Sequence, residues 1–181
     1  MRIIISTPLY PPDIAEPAPY TKELARRLSA SHDVIIVTYG RVPEEVPGVK
    51  ILVIDKRKPL LPRLFSYTLA LLREARLANI IYLQNGASTE LPAGIVARLT
   101  RIPLVAHIGD AIADEKASKS VILRALQKFA FSRAQTILTE TPPPHHEVLH
   151  FEGFPAAALS AYEASWKNHL KQLERQFSYG K

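Results

Sequence analysis

The chain has no cysteine, which excludes a disulfide scaffold, a thiolate zinc site and a thiol nucleophile. Glycine is scarce: there are 7 in 181 residues, and no two stand as G-x-G. Neither the dinucleotide-binding fingerprint nor a Walker-type phosphate loop is therefore present. Long hydrophobic runs are missing too. Ile3-Ile4-Ile5 is too short for a secretory signal, and no stretch reaches the ~18 apolar residues of a spanning helix. The expected location is cytoplasmic. The net charge of +6 favours anionic partners, but it is too weak to choose between phosphates, nucleic acid and an acidic membrane face.

What is present is ordinary for a globular chain. Apolar residues make up 47% and charged residues 22%, and the length suits one domain with a sizeable core. No internal repeat or low-complexity tract appears.

The apolar pattern alternates between two periods. Arg2 to Thr7 is a buried strand that Pro8, Pro11 and Pro12 stop. A helix follows from Pro17, with Tyr20, Leu24 and Leu28 on one face and Lys22, Glu23, Arg26 and Arg27 on the other. Val34–Thr38 and Val49–Asp55 read as strands, Pro62–Ala78 as a helix and Ile80–Leu83 as a strand. Ala87–Arg101 reads as a helix with Pro92 in its first turn or at a kink. Pro103–Ile108 and Thr136–Thr139 read as strands, with one helix over Lys119–Ser132 between them. Strand-helix alternation predicts an α/β fold, a parallel sheet covered by helices on both faces. Ligands of such sheets sit beyond the carboxyl ends of the strands, here the loops after Thr7, Leu83 and Ile108.

Pro142-Pro143-Pro144 ends the alternation. Beyond Pro155, residues Leu159, Tyr162, Trp166, Leu170, Leu173 and Phe177 recur every three or four positions, one apolar stripe of a last helix. The stripe predicts packing against the flank of the sheet. The expected division is a domain over 1–155 and a terminal helix over 156–177 that returns to it.

At the first loop the sequence becomes specific. The run Met1-Arg2-Ile3-Ile4-Ile5-Ser6-Thr7-Pro8-Leu9-Tyr10-Pro11-Pro12-Asp13-Ile14, then Tyr20-Thr21-Lys22-Glu23-Leu24 and His32-Asp33-Val34, resembles the amino-terminal domain of family-4 glycosyltransferases of the GT-B fold. Ile81-Tyr82-Leu83-Gln84-Asn85 with Leu91-Pro92-Ala93, and Pro103-Leu104-Val105-Ala106-His107-Ile108-Gly109-Asp110, are similar to later segments of that domain. The resemblance covers roughly residues 1 to 140. It implies a three-layer Rossmann-like domain with a mostly parallel sheet of about six or seven strands and a carboxyl-terminal crossover-like helix. It also implies sugar transfer from a nucleotide-sugar, with the acceptor held by this domain and the donor by a second one. No cofactor and no metal are expected.

Two departures matter. The chain is too short for the donor domain, so it is expected to be inactive alone and to need a donor-domain partner. The retained last helix points to natural loss rather than trimming. In addition, Ala15-Glu16 stands where the family usually has a Gly-Gly pair. Side chains there block close approach of backbone amides to donor phosphates, and the Glu16 carboxylate has the wrong sign. The other reading is a non-catalytic module that binds a sugar, lipid or protein, or forms a homodimer through an exposed cleft face.

Asp110 and His107 are the candidate catalytic residues. Asp110 suits either a hydroxyl of the acceptor or a helix cap, and His107 either proton transfer or a packed strand position. Tyr10, Asp13, Glu16, Gln84, Asn85, Glu90 and Gly109 are the candidate substrate-binding residues on the same loops and helix starts. His146-Glu147-Val148-Leu149-His150 matches the H-E-x-x-H zinc motif, but the third histidine of the extended pattern is replaced by Ala156, and prolines on both sides leave barely two helical turns. A zinc hydrolase is a distant third reading. Lys56, Arg57, Lys58 and Arg63 lead into Leu60, Leu61, Leu64, Phe65 and Tyr67, which suits peripheral contact with the inner membrane face or a solvated loop. No nucleic acid is expected.

Overall fold

The computed structural model describes residues 1–15, 17–139 and 156–178. Six strands form one sheet of order β3-β2-β1-β4-β5-β6, and every neighbouring pair is parallel. They are β1 (Arg2–Ser6), β2 (Asp33–Gly40), β3 (Val49–Asp55), β4 (Ile80–Gln84), β5 (Leu104–His107) and β6 (Thr136–Leu138). The central strands are covered on both faces, which is why they read as unbroken β-branched runs rather than as alternating ones. Register is set across β1, where Ile3 lies opposite Val34 on one side and Ile80 on the other.

The period of two divides these runs between two cores. Ile4, Ile35, Val37, Ile81, Leu83 and Leu104 pack with Tyr67 and Leu71 of α2 (Leu60–Ala75), Val96 of α3 (Ala87–Thr100) and Ala130 of α5 (Val121–Phe131). Ile3, Ile5, Val34, Ile36, Ile80 and Tyr82 pack with Tyr20 and Leu24 of α1 (Pro17–Leu28) and with Trp166, Leu173 and Phe177 of α6 (Ala156–Ser178). The last helix thus buries its stripe against the sheet. Trp166 is fully buried, stacks on Tyr20 at 5.8 Å and carries the Arg27 guanidinium 5.0 Å from its ring centre. Burying a side chain of that size contributes roughly 4–6 kcal/mol of transfer free energy. Arg27 also forms a two-pronged pair with Glu163 at 2.7 and 2.8 Å.

Three predicted features differ. The helix predicted over Lys119–Ser132 is α5, and an unpredicted helix, α4 (Ala111–Lys119), precedes it and ends at Ser120. Ser120 is extended, so it ends α4, and its hydroxyl accepts from the Leu123 amide at 3.4 Å to start α5. Pro92 lies in the interior of α3, not in its first turn. It cannot donate to the carbonyl of Ser88 four residues back, and the Tyr39 hydroxyl, from β2, donates to that oxygen instead at 2.8 Å. Finally, α2 begins at Leu60 and stops at Ala75, two and three residues earlier than predicted.

Candidate functional site

The strand order reverses between β1 and β4, so the carboxyl ends of these strands open the crevice where such sheets bind ligands. Gln84, the last residue of β4, is buried there, and its side-chain oxygen accepts from Thr7 at 2.6 Å and Thr21 at 2.8 Å. It ties the first loop to α1. Asn85 ties β4 to the turn after β5: its Oδ1 accepts from the amides of Gly109 (3.1 Å) and Asp110 (2.8 Å), and its Nδ2 donates to the Asp110 carbonyl (2.8 Å). A Cβ at Gly109 would lie 2.7 Å from the ring of His107, so only glycine lets the turn fold back this closely.

His107 ends β5 and is buried against two tyrosine rings, Tyr20 at 5.5 Å and Tyr82 at 5.9 Å. Asp110 caps α4, with Oδ1 accepting from the Ala113 amide at 3.0 Å. Tyr20, Gln84, Asn85, His107, Gly109 and Asp110 thus meet around one crevice of about 10 Å³, room for a single water. Behind them Tyr82, Tyr20 and His169 of α6 form a chain of two 2.8 Å hydrogen bonds. Burial, helped by the nearby His107, lowers the pKa of His169 to about 4.

The remaining candidates lie elsewhere. The Glu90 side chain turns back to accept from the Gly86 amide at 3.0 Å, closing the first turn of α3. Burial raises its pKa, the amide of Gly86 opposes that, and the charge of Asp114 adds to it. Tyr10 and Asp13 line a second, larger cavity of about 490 Å³ beside the ends of β2 and β3. The Tyr10 hydroxyl donates to the Glu44 carbonyl at 3.1 Å, and its pKa is pushed up to about 12 by burial and by the Glu44 charge. Asp13 pairs with Lys56 at 2.6 Å. Glu16 and the His146–His150 motif lie outside the described residues. Among the described residues no group of three or more His, Asp or Glu side chains could hold a metal, and no helix is long and apolar enough to cross a membrane.

Sequence reasoning passed over Thr7, Thr21, Tyr82 and His169, whose roles come from partners between 62 and 149 residues away. The i, i+4 step from Pro17 to Thr21 was the one local signal, since Thr21 also bonds the Pro17 carbonyl at 2.7 Å.

A single parallel sheet sandwiched by helices, with its crevice at the β1/β4 reversal, defines a Rossmann-like unit of the kind that GT-B proteins use in pairs. Solved structures agree at the level of fold. HepE from Anabaena, crystallised with UDP, superposes with a TM-score of 0.53 at 17% identity over 76% of this chain and 37% of its own. A putative UDP-N-acetylglucosamine 2-epimerase from Listeria monocytogenes gives 0.53 at 12% identity over 80% and 39%. The chain spans about two fifths of the length of those proteins. No curated protein matches it. The model of the glycosyl transferase 4-like domain matches residues 16–159, and the chain belongs to that family.

Proposed function

We propose that this chain is the acceptor-holding half of a sugar transferase, and that transfer requires a donor-binding domain supplied by a partner chain. The observation that carries this reading is the small crevice at the β1/β4 reversal, whose described lining holds no lysine or arginine. Gln84 Oε1 and both polar atoms of the Asn85 amide are engaged by Thr7, Thr21, Gly109 and Asp110, and the space left between them is about that of one water. In the transfer, a hydroxyl of the acceptor attacks the anomeric carbon and gives up its proton to a base or to solvent, while the bond from the anomeric carbon to the phosphate oxygen breaks and a nucleoside diphosphate leaves with the bonding pair. The leaving charge needs preorganised donors and cations. Among the described residues that line the crevice there is no lysine or arginine, and its one acidic side chain is Asp110. Its Oδ1 caps α4, and Oδ2 faces the role of accepting the attacking hydroxyl's hydrogen bond. His107 acts as a positioning residue that shapes the turn through Gly109.

The test is release of nucleoside diphosphate from a panel of nucleotide-sugars, with the chain alone and with a family donor domain added. No release alone and release on addition are expected. Turnover by the chain alone overturns the reading.

A second reading, peripheral contact with an anionic membrane, is favoured by the outer face of α2. Leu61, Phe65 and Leu69 lie one turn apart and are 76%, 71% and 56% exposed. Of the four cations beside them, three have partners: Lys56 pairs with Asp13, Arg57 with Asp55, and Arg63 holds the Lys56 carbonyl. The apolar stripe therefore carries more of this contact than the charge does. Flotation with anionic vesicles should be lost in a Leu61→Glu/Phe65→Glu variant; no flotation of the unaltered chain at low salt removes the reading.

A further inference from the structure

The geometry points to the cavity at the ends of β2 and β3 as a binding site for a phosphate group, apart from the β1/β4 crevice. Its volume of about 490 Å³ falls in the range of small-molecule sites. Cations crowd one wall: Arg41 follows β2, and Lys56 and Arg57 follow β3. Opposing carboxylates occupy only part of them. Asp13 takes the Lys56 ammonium at 2.6 Å, and Asp55 takes Nε and Nη2 of Arg57 at 3.0–3.2 Å. Nη1 of Arg57 and the guanidinium of Arg41 make no hydrogen bond among the described residues, and the Arg41 charge adds to that of Arg57 in holding the Asp55 carboxyl low. Two guanidinium groups facing one cavity suit the planar, multidentate recognition of phosphate oxygens.

A second observation points the same way. Thr38, 1% exposed, lines this cavity, and its hydroxyl has one hydrogen bond, 3.5 Å to the neighbouring Tyr39 carbonyl. That bond is at the outer limit of length, and Thr38 adds a polar residue to the wall that the cations share. The wall is also held in place. Arg63 donates to the Lys56 carbonyl at 3.0 Å and lies 5.6 Å from the centre of the Tyr39 ring, fixing the loop that carries Lys56 and Arg57. Phosphate here could belong to a free phosphorylated molecule or to a lipid headgroup, since α2 and its apolar stripe start three residues beyond Arg57. The shared chemistry is the phosphate.

The experiment has two arms on the full chain: calorimetric titration with inorganic phosphate at low ionic strength, and sedimentation with phosphatidylcholine vesicles containing phosphatidic acid. Arg41 is on the surface, so Arg41→Gln should keep the fold, checked by circular dichroism. Saturable binding is expected in at least one arm, weakened about tenfold or more by Arg41→Gln and by Arg57→Gln, the effect of one lost charge-assisted hydrogen bond. Leu61→Glu/Phe65→Glu should leave the phosphate arm unchanged, so binding in that arm identifies a free ligand and binding confined to vesicles a headgroup. No saturable binding in either arm, or binding that both arginine variants leave intact, overturns the site. Neither result bears on sugar transfer, which is read by nucleoside diphosphate release.

Discussion

Replacing His169 with glutamine should remove a specific acid sensitivity from the fold. The imidazole is 6% exposed, and its Nε2 lies 2.8 Å from the Tyr20 hydroxyl, which in turn lies 2.8 Å from that of Tyr82. An unprotonated Nε2 accepts from Tyr20, and Tyr20 accepts from Tyr82. A proton on Nε2 makes it a donor and forces the chain to reverse. Burial and the neighbouring His107 lower the folded-state pKa to about 4, against about 6.5 for a free histidine. The sign follows from linkage: between these values the unfolded chain binds the proton and the folded one does not, so stability is full above pH ~6.5 and falls as pH drops toward ~4. From pH 7.5 to pH 5 this one group costs about 2 kcal/mol, and about 3 kcal/mol by pH 4. The assay is urea unfolding followed by fluorescence of Trp166, the single tryptophan, which sits one turn from His169 on α6. The stability gap between the unaltered chain and His169→Gln should narrow by about 2 kcal/mol between pH 7.5 and pH 5. A gap that stays constant with pH would refute the reasoning.

Two further predictions concern the frame of the site. Tyr39→Phe should cost about 1–3 kcal/mol in urea unfolding by orphaning the Ser88 carbonyl, and Pro92→Ala, which restores a helical donor, should recover part of that loss in the double variant; additive effects would contradict the pairing. Asn85→Ala should cost about 2–4 kcal/mol and speed hydrogen exchange at the Gly109 and Asp110 amides, whereas unchanged exchange there would show that Asn85 does not hold the turn.

The sheet was legible because its central strands are buried on both faces. A run such as Ile80-Ile81-Tyr82-Leu83 has few other places to go, and the strand-helix alternation then dictates parallel pairing. The stripe from Tyr162 to Phe177 placed α6 for a similar reason, since five large apolar groups at helical spacing need a core. Helix α4 was missed because Ala117 is its only buried residue, so it has almost no apolar face to read. Its signals were polar: Asp110 and Ser120, two capping residues ten apart, each with a helix behind it. Pro92 was left between the first turn and a kink because its tolerance rests on Tyr39, 53 positions earlier, and no local pattern carries that.

The site was legible in location more than in role. Gln84, Asn85, His107, Gly109 and Asp110 do gather at the β1/β4 reversal, as loops beyond parallel strands should. Yet polar identity says nothing about which way a side chain is spent. Gln84 and Asn85 look outward in the sequence and bond inward in the structure. Arg41 and Thr38 showed no motif at all, and only the cavity between β2 and β3 brings them into view.

The central claim is that this domain lacks a site for the donor nucleotide, and calorimetric titration with a panel of nucleotide-sugars tests it most directly. The account predicts that no member binds more tightly than inorganic pyrophosphate, that the base makes no difference, and that Arg41→Gln weakens whatever binding the phosphates produce. Tight binding that prefers one base and survives Arg41→Gln would contradict it.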